Sequence, residues 1–208
     1  MGHASLILKR DLEATVPDCA VSADRSPHEH GSRSLRTNRW PHSIAGICDV
    51  SLPMEDILSA VVTGVFAGVV GTLVMDVLNV LVARTRWISR IDVATIGRMA
   101  AGWARRRFVY SHPREMQPVR SEVPLGILTH YTIGVALAVP FVVGWSVVIG
   151  GAPSPVGALV YGIGTTVASW CFVYPSMGFG AFGLRSPDGL KATLSSLANH
   201  VFYGLGLG

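Results

Sequence analysis

The sequence predicts an all-α integral membrane protein with four transmembrane helices and a short interfacial amphipathic helix between helices one and two. Three observations carry that expectation. Residues 123–184 run for 62 positions without one Asp, Glu, Lys or Arg, where the overall charged content of 14% would place about nine. Half of the 208 residues are hydrophobic and the mean hydropathy is +0.44. Nine of the 17 basic residues fall in the single segment 84–121, the kind of bias that short cytoplasmic loops show. A span needs roughly 20 mainly apolar residues to cross a hydrocarbon core about 30 Å thick, so the uncharged stretch alone has room for two.

The chain divides into residues 1–53 and 54–208. The first part holds six basic and six acidic residues, four of the seven histidines and no amphipathic period, the composition of a disordered polar N-terminal extension. Its short apolar run from Ser5 to Leu8 is closed at once by Lys9, Arg10 and Asp11, which excludes a signal peptide. His28, Glu29 and His30 could hold a metal weakly, although a solvated segment accounts for them better. Met54, followed by Glu55 and Asp56 where carboxylates favour a helix N-terminus, reads as the translational start.

The first span is expected over 57–83, with Asp76 its one charge. The second covers 125–149 and contains Pro140, which removes an internal hydrogen bond and should kink it. Gly150, Gly151, Ala152 and Pro153 make a turn, and Ser154-Pro155 provide an N-cap and first helical residue for a third span over 156–174. Pro175 ends or bends that helix. Glycines 178, 180 and 183 lead to a second Ser-Pro start at Ser186-Pro187 and a fourth span over 190–208.

Between spans one and two, Ile96, Met99, Ala100 and Trp103 share one helical face, while Asp92, Thr95, Arg98, Arg105 and Arg106 share the other. Such a helix should lie along the membrane surface. Arg98, Arg105, Arg106 and Arg107 are then candidate contacts for anionic lipid headgroups, worth on the order of 1 kcal/mol each near the surface. No nucleic-acid recognition module accompanies these arginines. Arg185 and Lys191 follow span three, whereas the hairpin at 150–155 has no basic residue, so loops one and three are expected in the cytoplasm and both termini outside. The three cysteines, Cys19, Cys48 and Cys171, form no C-x-x-C pair, which leaves neither a zinc knuckle nor a thioredoxin-type motif. Cys171 reads as a small packing residue.

Ionisable groups inside spans cost about 2.5–3.5 kcal/mol on the insertion scale and call for a functional hypothesis. Asp76 lies about 10 Å from the cytoplasmic end of span one, His130 about 9 Å into span two, and His200 roughly 12–20 Å into span four, so all three can meet in the inner half of the bilayer. Asn79, Tyr131, Asn199 and Tyr203 join them in a candidate polar cluster. Gly64, Gly68 and Gly71 on span one, with Gly126 and Gly134 on span two, are candidate helix-packing positions where backbones approach closely. Three readings stay open for Asp76, His130 and His200: a structural hydrogen-bond network, a proton or solute pathway, and a metal or cofactor site. No H-x-x-x-H or H-E-x-x-H occurs, and the residues name no cofactor. Thr165, Thr166 and Ser169 are expected to bond to their own helix backbone.

From Met54 onward the chain resembles an uncharacterised family of bacterial four-helix inner-membrane proteins, Domain of Unknown Function twenty-nine thirty-eight. The resemblance lies in Gly71-Thr72-Leu73-Val74-Met75-Asp76, Gly97-Arg98, His130-Tyr131-Thr132-Ile133-Gly134, then Pro175, Gly178, Ser186-Pro187, Ser196-Leu197 and His200 through Gly204-Leu205-Gly206. It implies a multi-pass location in the bacterial inner membrane and four helices, and it supplies no activity. The expected role is a non-enzymatic membrane component with an intramembrane Asp/His polar cluster, serving proton-linked permeation. One alternative is a metal- or cofactor-binding enzyme acting on a lipid or quinone. The other is a structural subunit that pairs with itself or with another membrane protein.

Overall fold

An apolar run with Glu55 and Asp56 in its first turn folds as α1 (Met54–Ala83) in the computed structural model, which describes residues 54–208. The extension, His28, Glu29 and His30, and the choice of start site therefore lie outside the described residues. A segment follows that turns back through Arg86 (φ +65°) into α2 (Val93–Ala104). Asp92 starts α2 by accepting from the Thr95 backbone N–H at 3.2 Å, a cap the sequence signals by an Asp just ahead of the apolar period.

Next comes α3 (Glu122–Val148), starting three residues earlier than expected, with Pro140 inside it. Proline cannot donate to the carbonyl one turn before it, so the Ala136 carbonyl loses its helix partner. On the adjacent Leu137 carbonyl the Tyr161 hydroxyl donates a 2.6 Å hydrogen bond from a different helix. Neighbouring helices commonly support a proline-weakened turn in this way inside a membrane.

That different helix is α4 (Pro155–Ser176), launched by Ser154, whose hydroxyl accepts from the Gly157 N–H at 3.1 Å. Its last part widens into a π-turn at Ser169–Val173. Pro175 explains the widening: with no N–H to offer Cys171, the ladder shifts and Tyr174 N–H bonds back to Ser169 O. Cys171, on this turn, is exposed rather than packed.

The second Ser-Pro pair does not start a helix. Residues 186–189 form a turn with Gly189 N–H on Ser186 O, and α5 (Leu190–Leu207) begins only after Gly189, whose φ of +53° redirects the chain. The Ser186 hydroxyl, expected as a cap, is buried without a partner.

The described residues are helical with no strand. α1, α3 and α4 are each long and apolar enough to cross a membrane. α5 is helical but falls short of that apolarity because Lys191, Thr193, Ser195, Ser196, Asn199 and His200 lie along it. The packing order is α3 on α1, α1 on α5 and α5 on α4, with α2 set against α3. Consecutive α3 and α4 pack less closely than these pairs, meeting through side chains: the stacked rings of Phe141 and Tyr161, 4.3 Å apart, the Tyr161 hydroxyl on Leu137 O, and Trp145 against Gly157. On α1 the side chains of Leu58, Phe66, Leu73 and Leu81 point outward, exposed, as a lipid-facing surface would have them.

α2 is where the surface-helix expectation needs correcting. Its apolar face does not lie free for a membrane surface: Ile96 and Met99 are buried in one core with Tyr110, Met116 and Met177. Segments from the first and third loops thus pack together at one end of the helices, where Tyr110 N–H also bonds to Pro175 O at 3.3 Å.

Candidate functional site

Helix crossings bring the polar residues together, and small residues set how close those crossings are. A Cβ on Gly68 would lie 2.6 Å from the Val135 Cα, and one on Gly64 2.8 Å from the Val139 Cα, so α1 and α3 meet at near backbone contact. Gly71 faces the Tyr203 ring on α5, and a Cβ on Gly134 would collide with the Thr72 hydroxyl. Gly126 faces the Val93 carbonyl, where α2 rests on α3.

At the α1–α3 crossing His130 Nε2–H donates to the Asp76 carboxylate at 3.0 Å. The pair is not sealed, since 31% of the Asp76 side chain and 15% of His130 remain exposed. Tyr131 stands edge-on to the His130 ring, centroids 6.0 Å apart. His200 does not join them. It sits at the α4–α5 crossing, 2.8 Å from the Thr165 hydroxyl, which also lies 2.6 Å from Gly162 O. A hydroxyl has one proton; given to Gly162, it leaves His200 Nδ1–H to donate to Thr165 and frees Nε2 as an acceptor. Thr165 therefore bonds its own backbone and holds His200 as well, and Thr166 has no partner for its buried hydroxyl.

Asn79 and Asn199 form a third station. Asn79, 2% exposed, donates from Nδ2 to Asn199 Oδ1 at 2.9 Å and to Ser89 O at 3.0 Å, and accepts from the Ile91 N–H at 3.2 Å. Ser89 N–H in turn reaches Ser195 Oγ at 2.8 Å. One buried amide thus ties the segment after α1 onto α5. Tyr203 completes the set by donating to Gly134 O. Ser89, Ile91, Thr165 and Ser195 were not among the sequence candidates for the cluster, and nothing in their spacing points to partners on other elements.

The stations border a cavity of about 560 Å³. α3 lines it with His130, Ile133 and Leu137, α4 with Thr165, Ser169 and Phe172, and α5 with Ser196, Asn199 and His200; α2 and residues 89–92 close one end. Asp76 does not line it. His130 does, so one imidazole touches the cavity on one side and the Asp76 carboxylate on the other. Among the described residues no three His, Cys, Asp or Glu side chains are grouped to hold a metal ion. Asp76, His130 and His200 are split between two helix crossings, and the three-ligand alternative is not assembled.

The arginines divide. Arg98 makes a two-point ion pair with Glu122, at 2.7 and 3.0 Å, and the carboxylate raises the guanidinium pKa above its ordinary value. Arg107 lies over the Tyr110 ring at 4.7 Å and 3.7 Å from Glu115. Arg105 and Arg106, exposed, follow the end of α2 without an ion pair among the described residues.

The family model described as Protein of unknown function (DUF2938) matches residues 65–208, more than two thirds of the chain. No curated protein and no solved structure matches.

Proposed function

We propose, for a chain that belongs to the DUF2938 family, a non-enzymatic multi-pass component of the bacterial inner membrane in which Asp76 and His130 pass a proton to and from the central cavity. One observation carries this reading: His130 bridges the two, its Nε2 on Asp76 at 3.0 Å and its ring in the cavity wall. Histidine is the side chain whose ordinary titration falls nearest neutral pH, and a carboxylate within hydrogen-bond reach can take the proton it releases. A carboxylate inside a span is costly, and a merely structural bond would return only about 0.6 kcal/mol on average.

In this reading α5 is the fourth span. Its 18 residues cover about 27 Å at 1.5 Å per residue, close to the thickness of a hydrocarbon core. Its polar side chains are tolerable there because they are turned to α1, α4 and the cavity. Loop one, rich in arginine, and loop three, with Arg185, lie in the cytoplasm, with Arg105 and Arg106 free to meet anionic headgroups. Reconstitution into liposomes loaded with a pH-sensitive dye tests the proposal. Asp76→Asn keeps the hydrogen bond and the fold and abolishes proton-linked flux; unchanged flux in that variant would refute the proton role.

A further inference from the structure

The cavity has unused hydrogen-bonding capacity in apolar, aromatic surroundings, and that combination describes a ligand. His200 Nε2 is an acceptor, and the Asn199 Nδ2 protons are donors with no bond among the described residues. Polar groups left unpaired in apolar surroundings cost free energy until something bonds to them. Water alone is a poor tenant for walls made of Ile133, Leu137, Phe172, Val173 and Phe179.

Charge narrows the choice. Among the described residues Arg90 is the one arginine or lysine lining the cavity, against Asp92 and Asp188, so an anionic phosphate head meets a net negative rim. Donors and acceptors together suit uncharged hydroxyl or carbonyl oxygens. Trp103, Phe172, Tyr174 and Phe179 offer ring faces and edges to a flat head. The volume lies within the range of small-molecule sites.

Access is lateral. α3 and α4 are held together by Phe141 and Tyr161 near one end and bridged by Trp103 of α2 against Phe172, 5.6 Å apart, toward the other. Between those contacts the two helices hardly pack, and the cavity lies behind the gap. A head inside can leave its tail in the lipid.

We infer that this cavity is a binding site for a membrane-soluble quinone or quinol, whose ring oxygen bonds to Asn199 and His200, whose ring lies among Trp103, Phe172 and Phe179, and whose apolar tail passes between α3 and α4. The inference uses the same cavity as the proton pathway but needs no proton step.

The test is tryptophan fluorescence of the full chain in nanodiscs of neutral phospholipid, titrated with a decyl-substituted benzoquinone. Quenching saturates for the wild type. It weakens at least tenfold for Ala168→Leu, which fills cavity space, and stays unchanged for Gly144→Ala, where an added Cβ meets nothing within 4 Å. Should Ala168→Leu fail to assemble, the isosteric Thr165→Val, which removes the partner of His200 Nδ1, gives the same direction at several-fold. Quenching linear in quinone and equal in every variant would mean partition into lipid only and would overturn the site. Full recovery of the fluorescence by dodecanol at the same concentration as the quinone would overturn the ring assignment. No proton gradient enters this assay, so its failure leaves the Asp76→Asn flux result standing on its own.

Discussion

Asn79 makes three hydrogen bonds to other elements. It fills its amide on three sides, from Asn199, Ser89 and Ile91, in a site 2% exposed. Asn79→Ala leaves the Ile91 N–H and the Ser89 carbonyl without partners, and each buried orphan costs about 1–3 kcal/mol. The expected result is a clear drop in melting temperature in detergent, together with faster proteolysis after α1; an unchanged melt would show that water replaces the amide there. The position was visible as a polar residue on the small-residue face of an apolar helix. Of its partners, Asn199 stood in the same candidate cluster, but Ser89 and Ile91 were not legible, because they contribute backbone atoms, which carry no sequence signature. His200 teaches the same lesson in reverse. Its helix face was legible, but whether it met Asp76 or Thr165 depended on which helices are neighbours.

At the scale of elements, the α1–α3 crossing sets the Asp76–His130 distance. Gly68→Leu places a side chain where even a Cβ would lie 2.6 Å from the Val135 Cα. Overpacking of this kind costs typically 1–3 kcal/mol, and here it must also spread the helices that hold the pair. Proton-linked flux should fall with stability, while Gly144→Ala, facing open space, changes neither. The helices themselves were largely legible: hydropathy located α1, α3 and α4, and Ser154 caps its helix as Ser-Pro suggested. The identical dipeptide at Ser186-Pro187 misled, because the left-handed Gly189 turns the chain again before α5 can start. Amphipathicity likewise located α2 but could not say what covers its apolar face, which the protein itself buries.

For the whole molecule, the proposed topology makes opposite predictions for its two ends. With the three native cysteines replaced, Gly151→Cys should react with a membrane-impermeant maleimide in intact cells, and Arg106→Cys only once the membrane is permeabilised. The reverse pattern would invert the protein and place the arginine-rich segment outside. The order of packing has another consequence, for how the protein is made. α4 packs most extensively on α5, and α5 also packs on α1. During synthesis in the proposed topology, the α1–α3 pair can lock as soon as both have left the ribosome, while α4 has only its few contacts with α3, at Leu137 and Phe141, until α5 follows. α5, the least apolar of the four long helices, follows them and finds its polar side chains already awaited by Asn79 and Thr165. In the proposed topology the helix least able to enter lipid unaided thus comes after its partners, and a ribosome halted before Leu190 would release an open half-bundle, ready prey for membrane proteases.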